Sequence, residues 1–286
     1  MKKKALASVL ALGMTMALAA CGGQTNSGTD VPNPDAAPSE AEQPAETPAE
    51  AEQPAEAEAP EAEAPEAEEE NSVEAMSYAD YVAADVDTQV TVETYVQAKQ
   101  GWWEKDGVGG VATFYTQDED GGYFLYDMPC SKEDYDKLTE GTKILVTGYK
   151  SEWSGEVEII DATFEIEDGS YIAAPTDVTA VYGTDAIADY MNQKISIKDA
   201  VVADKGDGAA FLYKWDGSGT QGDDIYFDIE LNGATYTVTV ESYLCGPDTD
   251  LYKAVEGLKV GDTVDLEGFL YWYEGAQPHV TGIGVK

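Results

Sequence analysis

The 286-residue sequence predicts a mainly β protein: two related five-stranded units, each with one short helix, carried behind a disordered acidic stalk. Three observations predict it. Period-two alternation of Val, Ile, Thr and Tyr, punctuated by glycine-marked turns, runs from about residue 77 to the C-terminus. The same region matches itself at an offset of 120 residues. The stretch before it lacks the apolar surface needed to offset ordering entropy.

The chain begins with three lysines and an apolar run, Ala5 to Ala20, too short for a comfortable membrane span, which is the pattern of a secretory leader over 1–20. From 21 to 76 the composition is rich in Pro, Ala and Glu. AEQPAE occurs at 41–46 and 51–56, and 15 acids fall between Asp30 and Glu70 with no base among them. Like charges repel and the prolines interrupt any helix, so an extended spacer is expected. Its reach is about 40 Å as a flexible coil and up to about 150 Å if polyproline-like.

The first unit, 77–170, reads as strands at 89–98, 111–117 and 123–128, a short helix after Ser131, and strands at 143–150 and 157–166. Ser131 with Asp134 three residues on is a capping-box signal, and Gly141 stops the helix. The second unit, 171–286, repeats it. Leu138 matches Leu258, Gly141 matches Gly261, Val146 matches Leu266, Gly148 matches Gly268 and Gly155 matches Gly275, while Val90-Thr91-Val92 corresponds to Ile195-Ser196-Ile197. Its final elements are a helix at 249–257 and strands at 262–273 and 278–285. AFLYKW, IYFDIEL and ATYTVTVES all look like strands ahead of that helix, so an extra strand is expected there. Phe124-Leu125-Tyr126 recurs as Phe211-Leu212-Tyr213, but that frame conflicts with the one aligning Cys130 and Cys245 ahead of the two helices, and the cysteine frame is preferred. Strand, strand, strand, helix, strand, strand within about 90 residues is the order of the OB-fold barrel, so two tandem OB-fold-like barrels are expected.

Leu18-Ala19-Ala20-Cys21 resembles the lipobox of bacterial lipoproteins. That resemblance implies a diacylglyceryl group on Cys21, cleavage before it, and a membrane anchor on the extracytoplasmic face. With the stalk and stretches such as GTKILVTGYKSEWSGEVEI and LKVGDTVDLEGFLYWYEG, the chain resembles surface lipoproteins of Gram-positive anaerobes carrying tandem OB-fold-like domains. The resemblance implies architecture and location, not a reaction.

All 16 basic residues are lysines against 56 acids, a net charge of −40. Counterion release needs positive charge and bidentate phosphate recognition favours the guanidinium fork. Nucleic acid is therefore excluded as a partner at this stage, and the single histidine, His279, reads as a surface or packing residue and not a catalytic one. OB barrels place ligands on the face of their second and third strands, between the 1–2 and 4–5 loops. Those loops contain Trp102, Trp103 and Trp153 in the first unit, with Tyr123 on the strands between. These four are nominated as stacking groups for a neutral ligand, a glycan or cell-wall component, without catalysis. The alternative is a structural module contacting another envelope protein. No cofactor is required, although Asp216, Ser218, Thr220, Asp223 and Asp224 space their oxygens as a calcium loop would. Asp118, Glu119 and Asp120 form a shorter acidic cluster. With Cys21 lipidated, Cys130 and Cys245 remain as an even pair, and equivalent positions on a pseudo-twofold could meet as a disulfide.

Overall fold

The computed structural model describes residues 74–286, all within one compact unit. The leader, Cys21 and almost all of the stalk lie outside the described residues. A six-residue helix, α1 (Tyr78–Ala83), comes first. The first barrel follows as β1 (Gln89–Lys99), β2 (Trp103–Lys105), β3 (Gly109–Gln117), β4 (Gly122–Pro129), α2 (Lys132–Lys137), β5 (Thr142–Trp153) and β6 (Glu156–Ser170). The second comprises β7 (Thr176–Asp177), a 3-10 turn at Asp185–Tyr190, β8 (Lys194–Val202), β9 (Leu212–Tyr213), β10 (Ile225–Leu231), β11 (Ala234–Val240), α3 (Asp250–Glu256), β12 (Thr263–Phe269) and β13 (His279–Val285).

Both sheets close. In the first, β1-β5-β6-β4-β3 returns to β1; in the second, β8-β12-β13-β11-β10 returns to β8. Each ring has one parallel contact, β4 with β6 and β11 with β13, and the others are antiparallel. With the helix between the third and fourth ring strands, this is OB-fold topology twice over. Closure removes the edges that an open sheet would expose.

The repeat extends to register. Val90 pairs with Gly148 and Val92 with Val146; Ile195 pairs with Gly268 and Ile197 with Leu266. The matched glycines have a steric cause. A Cβ on Gly268 would sit 2.2 Å from the His279 carbonyl oxygen, and one on Gly148 would lie 2.8 Å from that of Ile160. Each marks a register shift where the strand bends closely over its partner. Gly141 and Gly261, following the helices, take φ of 87° and 93°, which L side chains adopt only under strain.

Alternation builds the cores. Val90, Val92 and Val96 of β1, Ala112 and Phe114 of β3, Tyr123 and Leu125 of β4, and Ile144 and Val146 of β5 point into the first barrel. Ile195, Ile197, Ile225, Phe227, Ile229, Val238, Val240, Val264 and Leu266 fill the second. Ser131 caps α2, its Oγ accepting from the Asp134 N–H at 3.0 Å, as the capping signal predicts. Thr249 caps α3 in the same way. The expected extra strand is the two-residue β9, in the loop between the first and second ring strands. There Phe211-Leu212-Tyr213 occupies a different element from Phe124-Leu125-Tyr126, so the cysteine frame is the structural one.

Candidate functional site

The outer face of β3 and β4 is where an OB barrel usually holds its ligand. Here it carries Tyr115 and Phe124, whose strand neighbours Phe114 and Leu125 point into the core. Neither outward ring reaches solvent: Tyr115 is 1 % exposed and Phe124 4 %. They are covered by the second barrel. Phe269 stacks on Tyr115 at 4.7 Å, and Tyr271 meets Phe124 edge-on at 5.5 Å. His279 stacks on Tyr271 at 4.2 Å and shares a 2.6 Å hydrogen bond, through Nδ1, with the Tyr115 hydroxyl. On the corresponding face of the second barrel, Tyr226 and Thr239, paired across β10 and β11, are buried too. The loops joining the last two ring strands lock the arrangement. Glu156 Oε2 accepts from the Trp272 N–H at 2.7 Å, and the Glu274 N–H donates to the Ser154 carbonyl at 2.8 Å.

Polar groups in this seam are displaced from their usual titration. Burial alone pulls the His279 imidazole down to about 3, so it is neutral at physiological pH. Burial raises the Glu156 carboxyl well above the carboxylate range, against the opposing Trp272 N–H and Asn192 side chain, and its Oε1 has no hydrogen-bond partner. Glu158, register partner of Phe124 in the parallel ladder, is pushed up to about 7 by burial and then by the nearby Asp127 charge.

The four nominated stacking residues do not converge, and that expectation is corrected. Tyr123 lies in the first core, its hydroxyl donating to Asp118 Oδ2 at 2.8 Å. Trp102 lies across Gly110 and donates through Nε1 to the Cys130 carbonyl. Trp153 packs against Tyr273 in the seam, and Trp103 alone is largely exposed, at 45 %. By strand parity Tyr123 points inward with Leu125, whereas Phe124 between them points outward.

The calcium reading is also corrected. The carboxylates of 216–224 are turned to backbone amides instead of to a common centre: Asp216 accepts from Ser218, Asp223 from Thr220 and Asp224 from Ser242. Ser218 and Thr220 contribute their N–H groups to these turns. Among the described residues no three metal-ligating side chains cluster. The disulfide is not formed either. Cys130 belongs to the first core and Cys245 packs against the second, both as free thiols that burial pushes up to about 11.

With the OB faces closed, the described residues leave open concavities elsewhere: one of about 820 Å³ lined by Cys130, Asp134, Lys137, Asp161 and Phe164 among others, and a tyrosine-walled one at the end of the first barrel. A cavity of about 580 Å³ is lined by Tyr78, Tyr95 and Tyr171 together with Glu93, Asp118, Glu119 and Asp120. Tyr95 and Tyr171 meet edge-on at 5.5 Å. Asp118 is committed to the β3–β4 turn, accepting from the Asp120 and Gly121 N–H groups and from Tyr123. Glu93 pairs with Lys143, which also pairs with Glu167. Glu119 and Asp120 are exposed at the hairpin tip. Tyr78 keeps its phenol proton beyond the usual range, through burial first and the Asp118 charge second. Sequence reasoning recorded the acids of 118–120 but missed the tyrosines. One signal was available: Tyr95 sits between buried Thr94 and Val96, an aromatic residue on the outward parity of its strand.

No family model matches the chain, and no curated protein does. Solved structures similar to it include a murine DNA-binding protein bound to double-stranded DNA, at 11 % identity and TM-score 0.33, covering 68 % of this chain and 94 % of that one. A HIN domain in complex with 20 base pairs of double-stranded DNA is 16 % identical with TM-score 0.31, covering 70 % and 96 %. A Replication Protein A heterotrimer bound to single-stranded DNA is 12 % identical with TM-score 0.30, covering 69 % and 49 %. What those proteins bind is a property of those proteins. Two expectations are corrected beside them: these three are structures of DNA-bound proteins and not of glycan-binding or cell-wall proteins, and the exclusion of nucleic acid as a partner does not stand.

Proposed function

We propose that this chain is a binding protein for organic cations, holding an alkylammonium group in the cavity between Tyr78, Tyr95 and Tyr171. The observation that carries the reading is the union, in one open cavity of about 580 Å³, of three phenol rings and four carboxylates. Ring faces attract a desolvated cation by about 0.5–2 kcal/mol each, and carboxylates supply the counter-charge. The volume suits a small ligand. The described residues contain 13 lysines and 41 acids, a field that concentrates cations near the surface.

Calorimetry with choline, spermidine and 3,3-dimethylbutanol, the uncharged isostere of choline, tests the reading. The two cations bind, the alcohol does not, and Tyr95→Ala weakens the cations about tenfold. Equal binding of alcohol and choline refutes it. Nucleic-acid binding, the second reading, is favoured by the OB topology; tight association with labelled single- or double-stranded DNA while both cations are inert would replace the first.

The location proposed for this head is the extracytoplasmic membrane face, tethered through a lipidated Cys21 as in the surface lipoproteins the chain resembles. Support comes from the lysine-then-apolar run and Leu18-Ala19-Ala20-Cys21. Detergent-phase partitioning of the wild type, with Cys21→Ser moving to the aqueous phase, is the expected result.

A further inference from the structure

Resting on the cation reading, we propose that the cavity has a detachable wall: cation binding and docking of the 75–84 segment are coupled, so that an occupied site clamps α1 onto the barrel and a released α1 empties the site. The segment supplies Ala75, Met76, Ser77 and Tyr78 to the lining. The remainder of the cavity belongs to the barrel itself, on β1, the β3–β4 turn and the end of β6.

A six-residue helix is far below the length at which a helix persists alone in water. Docking and folding of α1 are therefore one event. Its attachments are few and identifiable. The Met76 N–H donates to the Thr91 carbonyl at 2.9 Å. Tyr81 is buried in the first core, and Tyr78 meets Tyr123 edge-on at 5.5 Å. The Tyr78 ring lies on the hairpin tip where Gly121 leaves room; a Cβ there would be 2.1 Å from its Cζ.

The latch is Lys150. Lys150 is itself buried on β5, and its ammonium group donates to the carbonyls of Tyr81, Val82 and Ala84 at 3.0, 2.9 and 2.7 Å and lies 5.2 Å from the Tyr81 ring centroid. These carbonyls belong to the last turn and cap of the helix, where the Tyr81 carbonyl also accepts from the Ala84 N–H at 3.2 Å and a cation is favoured by the helix dipole. The segment is held by the Lys150 ammonium, the Met76 backbone bond, the rings of Tyr78 and Tyr81 on Tyr123 and the packing of Met76 and Ala84, all on one side of the barrel, so it can open as a unit while the barrel stays closed. Because the undocked state lacks Tyr78, a cation binds it more weakly, and by reciprocity bound cation shifts the segment toward docking.

The test uses the full chain as wild type, Lys150→Met and Val82→Pro. Val82 is exposed and outside the cavity, so the proline breaks α1 without touching core or lining. Choline and spermidine affinities are measured by calorimetry and the amides of 78–84 by hydrogen exchange. Both cations should slow exchange of these amides in the wild type. Both variants should exchange them fast, keep protection in β3–β6, and bind cations at least tenfold more weakly. Fast exchange with unchanged affinity overturns the coupling but leaves the cation site standing. Slow exchange in Lys150→Met overturns the latch. Absence of cation binding by the wild type overturns the functional reading and the coupling with it.

Discussion

Glu158 allows the sealed seam to be tested by pH. Its residue is 4 % exposed, it shares the β4–β6 ladder with Phe124, and its carboxyl titrates at about 7 instead of 4.5. The folded chain thus binds this proton more tightly than the unfolded chain does. Stability from this group is fully present below about pH 4.5, falls as pH rises through about 7, and is level above. A shift from 4.5 to about 7 corresponds to about 3 kcal/mol, an upper figure because the seam can relax and admit water. Glu158→Gln removes the titration while keeping the shape. Urea midpoints of wild type and variant at half-unit steps from pH 4.5 to 8.5 should diverge, the variant gaining up to about 3 kcal/mol relative to the wild type at the alkaline end. The difference between the curves isolates this group from Glu156, whose raised carboxyl contributes in the same direction to both. Parallel curves would show that Glu158 is solvated and that the seam is open to water.

Gly268→Ala places a methyl 2.2 Å from a main-chain oxygen that cannot move without breaking the β12–β13 ladder, so a loss of several kcal/mol is expected by thermal melting, well beyond the ~1 kcal/mol typical of point variants. Phe124→Ala should cost about 3–5 kcal/mol and increase protease sensitivity in the linker near 171–175, because it empties the contact beneath Tyr271; an unaffected melt would mean the barrels are not held through this face. Cys130 and Cys245, with thiols near 11, should react with a disulfide reagent at pH 8 only after denaturation, and non-reducing mass spectrometry of the folded chain should find both free.

Much of the fold was legible in advance, for local reasons. Gly141 and Gly261 recur because helix exits there need positive φ, and Ser131 caps α2 because a hydroxyl can satisfy the Asp134 amide. The strands followed from alternation, and the two matched frames, offset by 105 residues at β1 and β8 and by 120 at β5 and β12, carried the register as well. α1 was missed: six residues generate no usable periodicity, and its latch, Lys150, is 66 or more residues away in sequence. The site was legible only in fragments. Tyr78, Tyr95 and Tyr171 come from three distant segments, and no spacing rule unites them. The tryptophans misled because loop membership says nothing about what packs against the loop, as Trp102 beneath its own hairpin and Trp153 against Tyr273 show.

Alternating side chains, turn glycines and capping hydroxyls act over a few residues, so the sequence alone determined two OB-type barrels and their shared register. Whether an outward ring meets water or another ring depends on what folds against it. Docking of the second barrel on Tyr115 and Phe124 could be decided only in three dimensions, because burial is a property of surfaces brought together across more than a hundred residues of chain. That one contact withdrew the expected ligand face of the first barrel from solvent.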